Sequence, residues 1–253
     1  MLEGISSLII DLDGVVWLEG KPIKGAAEAL RALEERGKRL AFLTNNSVVS
    51  RRDCIRRLKK MGIRTERVIT SSYGAALWLK REGRARVYAI GERGLREELK
   101  LAGHELVGER EAERATHVVV GLDRRLNYQK LAAGMRAILA GAKFIATNRD
   151  CSFPTEGGLL PGAGAVVSFL EVAASKPPDV VIGKPEPFLL ELALKELHSR
   201  PGETALIGDR MDTDVAAGKR MGLMTVLVLT GVSREPRGRQ RPDLVVKNLS
   251  DLL

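Results

Sequence analysis

Cysteine is scarce in this chain: Cys54 and Cys151 are the only two among 253 residues. They lie far apart in sequence, which excludes a disulfide framework and suits a reducing, cytoplasmic compartment. The three histidines, His104, His117 and His198, lack the mutual spacing of zinc ligands, so a histidine-held zinc site is excluded. Aromatic residues make up 4%, leaving few platforms on which single-stranded bases could stack. No apolar run approaches the roughly 20 residues that a membrane helix needs. Met1-Leu2-Glu3 leads into a strand pattern without a basic segment followed by an apolar one, so no secretory leader is expected.

Charge, by contrast, is plentiful. Lys and Arg number 41 against 32 Asp and Glu, a net charge of +9. Such a balance steers anionic small molecules or binds nucleic acid. Here the signs interleave, as in Glu34-Glu35-Arg36, and read as solvated helix surface, so no nucleic-acid partner is expected. Hydrophobic content of 44% with 29% charged residues is that of a soluble globular chain. The length suffices for one large or two modest domains with a real core.

The stretch Leu8-Ile9-Ile10-Asp11-Leu12-Asp13-Gly14-Val15 organises the rest. Its apolar part reads as a buried strand that ends in two carboxylates and a glycine. Asp11 and Asp13 share one face if the strand persists that far, and crowded carboxylates repel unless a cation or a shared proton relieves them. Three later stretches have the same form. Leu40 to Leu43 runs into Thr44-Asn45-Asn46-Ser47, Val180 to Gly183 into Lys184-Pro185, and Ala205 to Gly208 into Asp209 and Asp212-Thr213-Asp214. In a doubly wound parallel sheet, ligands sit at the carboxyl ends of the strands. Four such ends converging would gather carboxylates, a hydroxyl, amides and one lysine, a set suited to a magnesium-bound phosphate.

Asp11-x-Asp13-Gly14, Thr44-Asn45-Asn46, Gly183-Lys184-Pro185 and Gly208-Asp209 with Asp214 closely resemble, in order, the four motifs of the haloacid dehalogenase superfamily. The similarity is greatest to its p-nitrophenylphosphatases, phosphoglycolate phosphatases and pyridoxal phosphate phosphatases. The resemblance implies an α/β fold: a Rossmann-like, doubly wound parallel-sheet core with an inserted α/β cap domain. The motifs skip the middle of the chain, so residues 1–82 and 179–253 are expected to form the core and 83–178 the cap. A cap of this kind closes over the core and excludes water.

Along the core, Val15 to Lys21 is short enough only for a hairpin flap beside Asp11. Helices are expected over Ala26–Arg36, from the Ser50 cap to Met61 and over Tyr73–Lys80, with a strand at Val68–Thr70. In the insert, strands are expected at Val87–Ile90, Thr116–Val120 and Lys143–Ala146, and helices at Leu95–Leu101 and Tyr128–Leu139. Gly157 to Gly164 lacks the Gly-Lys-Ser/Thr ending of a nucleotide loop. It is read instead as a glycine-rich substrate loop leading into a helix from Ala165 to Ala174. Asn148 and Asp150, just past the third of these strands, are the cap's specificity candidates. Beyond Lys184 follow a helix at Glu186–Leu197, one from Asp214 to Met221, a strand at Thr225–Leu229, a basic loop over 234–241 and an edge strand at Asp243–Val246.

The resemblance also implies roles. Asp11 is the nucleophile and forms an aspartyl phosphate, and Asp13 protonates the leaving alkoxide and then activates water. Thr44 and Asn45 hold phosphoryl oxygens with Asn46 nearby, and Lys184 offsets their charge. Asp11, Asp209 and the backbone carbonyl of Asp13 hold magnesium, with Asp214 ordering its outer shell. The expected partner is a small phosphorylated metabolite, with a homodimer allowed and no membrane or nucleic acid. Nucleotides, sugar phosphates and pyridoxal phosphate stay open as substrates. A phosphotransferase is the remaining alternative, and a dehalogenase would have no leaving alkoxide for Asp13 to protonate.

Overall fold

Two parallel sheets organise the computed structural model, which describes residues 1–155, 157–236 and 240–253. The first half of the chain supplies β1 (Ser7–Asp11), the hairpin β2 (Trp17–Leu18) and β3 (Lys21–Pro22), α1 (Ala26–Glu35), β4 (Arg39–Thr44), α2 (Arg51–Lys60), β5 (Val68–Thr70) and α3 (Ser71–Glu82). Then come β6 (Arg86–Ile90), α4 (Arg93–Leu101), β7 (Glu105–Leu106), β8 (His117–Val120), α5 (Tyr128–Leu139) and β9 (Lys143–Ala146). The ribbon β10 (Ser152–Thr155) and β11 (Gly158–Pro161) leads to α6 (Ala163–Ala173), β12 (Val180–Val181) and α7 (Phe188–Leu197). The chain closes with β13 (Thr204–Gly208), α8 (Ala216–Met221), β14 (Met224–Val228) and β15 (Leu244–Val246).

The larger sheet has the order β15-β14-β13-β1-β4-β5, with every pairing parallel. Its central strand β1 is buried along its whole length, as a strand covered by helices on both faces must be. The order steps from β1 outward to β4 on one side and β13 on the other. This crossing point lies beside the carboxyl end of β1, where a doubly wound sheet opens a crevice. Helix α2 starts where the sequence places it, because Ser50 and Asp53 form a reciprocal capping box. The flap forms as expected, from two two-residue strands.

The second sheet has the order β12-β9-β8-β6-β7. Here the structure corrects the sequence reading at one strand. Val180–Val181 is not a strand of the central sheet but the edge of this one, paired in parallel with Ile145 and Ala146 of β9. The glycine-rich segment is also more ordered than a loop: Ser152–Thr155 and Gly158–Pro161 pair as an antiparallel ribbon, and its helix begins at Ala163. The helix expected from Asp214 begins at Ala216, after a wide π-type turn at Met211–Val215. Of the basic loop expected over 234–241, residues 237–239 lie outside the described residues. No helix among the described residues is long and apolar enough to cross a membrane.

One apolar cluster joins the two sheets. It contains Ile9, Leu43 and Ile69 from the first, Val87, Val119 and Ile145 from the second, and Ala75, Ala76 and Leu79 of α3.

Candidate active site

Asp11 is the last residue of β1 and is buried. Asp13 lies beyond the strand, in a tight turn where the Val16 and Trp17 amides donate to the Leu12 carbonyl at 2.9 and 3.1 Å. The turn needs Gly14 twice over. Its φ is +87°, and a Cβ there would meet Asp209 Oδ2 at 2.5 Å. The Asp13 carboxylate is held from two sides, by the Trp17 indole Nε1 at 3.1 Å and the Thr44 hydroxyl at 2.9 Å. Thr44 ends β4, and its hydroxyl also accepts from the Asn46 backbone amide at 3.0 Å.

Asn45 acts as a bracket. Its Oδ1 accepts from the Lys184 amide at 2.8 Å, while its Nδ2 donates to the Lys184 carbonyl and to Asp150 Oδ1, both at 3.0 Å. Its own carbonyl accepts from Ser71 Oγ at 2.6 Å and Asn148 Nδ2 at 2.7 Å. Asn46 turns its side-chain oxygen back to the Val48 amide at 2.9 Å. Lys184 is thereby carried in from the second sheet. Its ammonium donates to Asp11 Oδ1 at 2.5 Å and Asp214 Oδ1 at 2.6 Å, and all three groups are buried.

Asp209 follows β13, and its Oδ2 accepts from the Val232 amide at 2.6 Å. Gly231 lets that loop come close, since a Cβ there would lie 1.9 Å from the same oxygen. Asp214 sits on the wide turn, with its second oxygen accepting from the Arg210 amide at 3.1 Å.

These carboxylates strain one another. Burial pushes the Asp11 carboxyl well above its ordinary range; Lys184 opposes this, while Asp214 and Asp209 add to it. Burial, and then Asp214, lift Asp209 to about 7. Burial works against the Lys184 ammonium, but Asp11 and Asp214 outweigh it and hold the group charged. Asp150 is also raised, by burial against the pull of Arg210. Asp11, Asp209 and Asp214 each offer an oxygen, all within 4.8 Å of one another. Three hard oxygen donors without thiol or imidazole fit a small divalent cation, which would relieve their repulsion. The Asp13 carboxylate lies outside this cluster.

The site opens into a cavity of about 340 Å³ lined by Asp11, Asp13, Thr44, Asn45, Asn46, Asn148, Asp150, Lys184, Asp209 and Asp214. All ten residues expected from sequence therefore meet in one place. For Asn148 and Asp150 the structure adds that their polar atoms are engaged with Asn45. Sequence reasoning missed Trp17, Arg57, Arg210 and the Val232 amide. Trp17 sits four residues past Asp13 in the flap, and that spacing was its only signal.

A parallel α/β sheet whose central strand ends in a carboxylate, with a buried lysine and an acidic cluster around it, defines a phosphoryl-handling hydrolase. Residues 8–105 match the Haloacid dehalogenase-like hydrolase family, and residues 181–252 match a HAD-hydrolase-like family. The chain is 40% identical to 5'-nucleotidase YutF of Bacillus subtilis, over 89% of this chain and 88% of that one. It is 32% identical to phosphoglycolate phosphatase 2 of Arabidopsis thaliana, over 100% and 94%. Among solved structures, a p-nitrophenyl phosphatase from Archaeoglobus fulgidus matches with a TM-score of 0.90 and 39% identity over 98% of each chain. The chain belongs to the haloacid dehalogenase-like hydrolases. It is a phosphatase that hydrolyses small phosphate esters, and it carries a cluster fit for the metal ion this family uses.

Proposed function

We propose that this phosphatase uses magnesium and passes through a phosphorylated Asp11. The observation that carries the reading is the buried contact of Lys184 with Asp11 amid the Asp209 and Asp214 carboxylates. Magnesium would be held by Asp11, Asp209 and the Asp13 carbonyl, with Asp214 ordering the outer shell, and when bound it supplies charge neutralisation at the phosphoryl oxygens.

The remaining steps belong to the chain. An Asp11 oxygen attacks phosphorus as the ester P–O bond breaks, and Asp13 delivers a proton to the departing alkoxide. Water then attacks the aspartyl phosphate, with Asp13 accepting its proton, and inorganic phosphate leaves while Asp11 is restored. Thr44 and the Asn45 amide hold the phosphoryl oxygens beside Asn46, and Lys184 offsets the charge spread over them. The Trp17 and Thr44 hydrogen bonds support Asp13 in this part by fixing its carboxyl group.

Residues 1–82 and 179–253 are read as the core and 83–178 as the cap, with β12 lent to the cap's sheet. Asn148 and Asp150 then stand on the cap's side of the cavity wall. The cavity's size suits a small monoester of the phosphoglycolate or p-nitrophenyl phosphate type. Sugar phosphates, nucleotides and pyridoxal phosphate are competing substrates, and transfer to an acceptor other than water is the alternative reaction. The unpaired Cys54 and Cys151 support a cytoplasmic setting. No nucleic-acid or membrane partner is part of the reading, which allows a homodimer. The test is p-nitrophenyl phosphate turnover before and after chelation, with Asp11→Asn beside the wild type. Chelation and the substitution should each abolish it, and full turnover in either case refutes the reading.

A further inference from the structure

Four cationic side chains line the catalytic cavity: Arg57, Arg124, Lys184 and Arg210. Three are already committed. Lys184 serves Asp11 and Asp214. Arg124 grips Glu92 with its Nε and Nη2 at 2.7 and 2.8 Å. Arg210 does the same to Asp212 at 3.1 and 2.8 Å and also donates to the Ser152 carbonyl. Arg57 is different. Among the described residues no carboxylate, carbonyl or hydroxyl accepts from it. The flap's exposed Glu19 lines the same cavity but forms no ion pair with it among those residues.

Its position is nevertheless fixed. The guanidinium stacks over the Trp17 ring, 4.9 Å from the centroid. It also rests on Gly20, where a Cβ would come within 2.9 Å of Cζ. Stacking on an indole holds a guanidinium in place while leaving its N–H groups free for an acceptor. The same indole donates to Asp13 at its Nε1 edge. Arg57 therefore stands one ring beyond the carboxylate assigned to protonate the leaving group and lines the same cavity.

From this geometry we infer that Arg57 selects phosphomonoesters whose alcohol bears a second anionic group, a carboxylate or a second phosphate. The inference rests on the phosphatase reading, with Asp13 on the leaving-group side. It assigns Arg57 to specificity and gives it no part in the chemical step. The free guanidinium would form charge-assisted, bidentate hydrogen bonds with such a group. A neutral alcohol offers it nothing.

The test compares wild type with Arg57→Gln and Arg57→Lys on 2-phosphoglycolate, a sugar bisphosphate, glycerol phosphate and p-nitrophenyl phosphate. The read-out is the ratio of kcat/KM for each ester whose alcohol bears a second anionic group to that for the esters of uncharged alcohols. In Arg57→Gln this ratio should fall about tenfold or more, the worth of one charge-assisted hydrogen bond. Arg57→Lys, which keeps the charge but not the fork, should recover part of it. Whether the carboxylate or the bisphosphate ratio falls further identifies the anion. Equal loss on all four esters would make Arg57 a mere support for the flap and overturn the inference, as would unchanged ratios. Binding of phosphonoacetate against methylphosphonate, measured by calorimetry, separates the two readings. If wild type turned over none of the esters the catalytic proposal would fail, while a preference for phosphonoacetate lost in Arg57→Gln would still uphold the subsite.

Discussion

Replacing Asp209 by Asn should stabilise the metal-free protein while destroying its activity. The reason is the crowding around a fully buried carboxylate. A rise from the ordinary 3.8 to about 7 corresponds to on the order of 4 kcal/mol against the ionised form. An amide keeps the acceptor for Val232, removes the charge, and also relieves Asp11, which Asp209 repels. Solvent reaching the open cavity screens part of this, so about 2 kcal/mol is expected, or roughly 4–8 °C in Tm for a chain of this size. The pH dependence has a definite sign. A folded-state value above the unfolded one means that the native protein holds the extra proton between about 4 and 7. Through Asp209 the wild type therefore loses stability as pH rises through that window, and this share is level above it. The variant lacks the Asp209 share of that slope, so its advantage should be full at pH 8 and vanish near pH 4. Saturating magnesium should invert the order, because wild type gains about 2.7 kcal/mol at a hundredfold excess over Kd and the variant little. Thermal unfolding in chelator from pH 4 to 9, repeated with magnesium, measures all of this. A wild type more stable than Asp209→Asn in chelator at pH 8 would refute the electrostatic argument.

Trp17→Phe keeps a ring under Arg57 but loses the donor to Asp13; kcat should drop about tenfold with KM nearly unchanged, as steady-state kinetics will show. Asn148→Ala and Asp150→Ala each release Asn45 and through it Lys184, so kcat/KM should fall for every ester in a panel together. A reordered preference would instead mean that these two residues touch the leaving group. Burial pushes the Cys54 thiol up to about 12 while Cys151 is exposed, so a disulfide reagent at pH 8 should titrate one thiol in the native protein and two after unfolding.

The elements most legible in the sequence were those whose periodicity and boundaries agree. Tyr128–Leu139 and Lys143–Ala146 lie where the apolar pattern puts them, and Ser50 caps α2 because its hydroxyl has an amide to accept from. Val180–Val181 was misassigned because a short apolar run looks the same whichever sheet it joins. Its pairing with β9 is a long-range choice that no local signal carries. The ribbon at 152–161 was hidden by its glycines, which read as loop until the two halves are seen to pair. In the site, the motif residues were legible because each ends a strand, as Asp11 and Thr44 do, or lies in the segment just after one. Arg57 and Val232 were not, since one acts by stacking and the other through a backbone amide. Neither contact depends on a distinctive residue pattern.

The misassigned strand matters most for how Lys184 reaches the nucleophile. With β12 in the second sheet, Lys184 is delivered to Asp11 from that sheet, and Asn45, just past β4 of the first, receives it. The loop after β4 is tied to the second sheet again by Ser47 to Leu122, Val48 to Gly94 and Arg51 to Glu98. Beneath these polar ties runs an apolar cluster shared by both sheets. Interfaces that are polar and small allow domains to swing, whereas a large apolar one holds them. Swinging the second sheet away would open that cluster and pull the lysine from the nucleophile in one motion. The catalytic geometry is therefore built with the wall already in place. In this arrangement Arg57 of α2, stacked on the flap's Trp17, is the cavity cation that no carboxylate engages among the described residues.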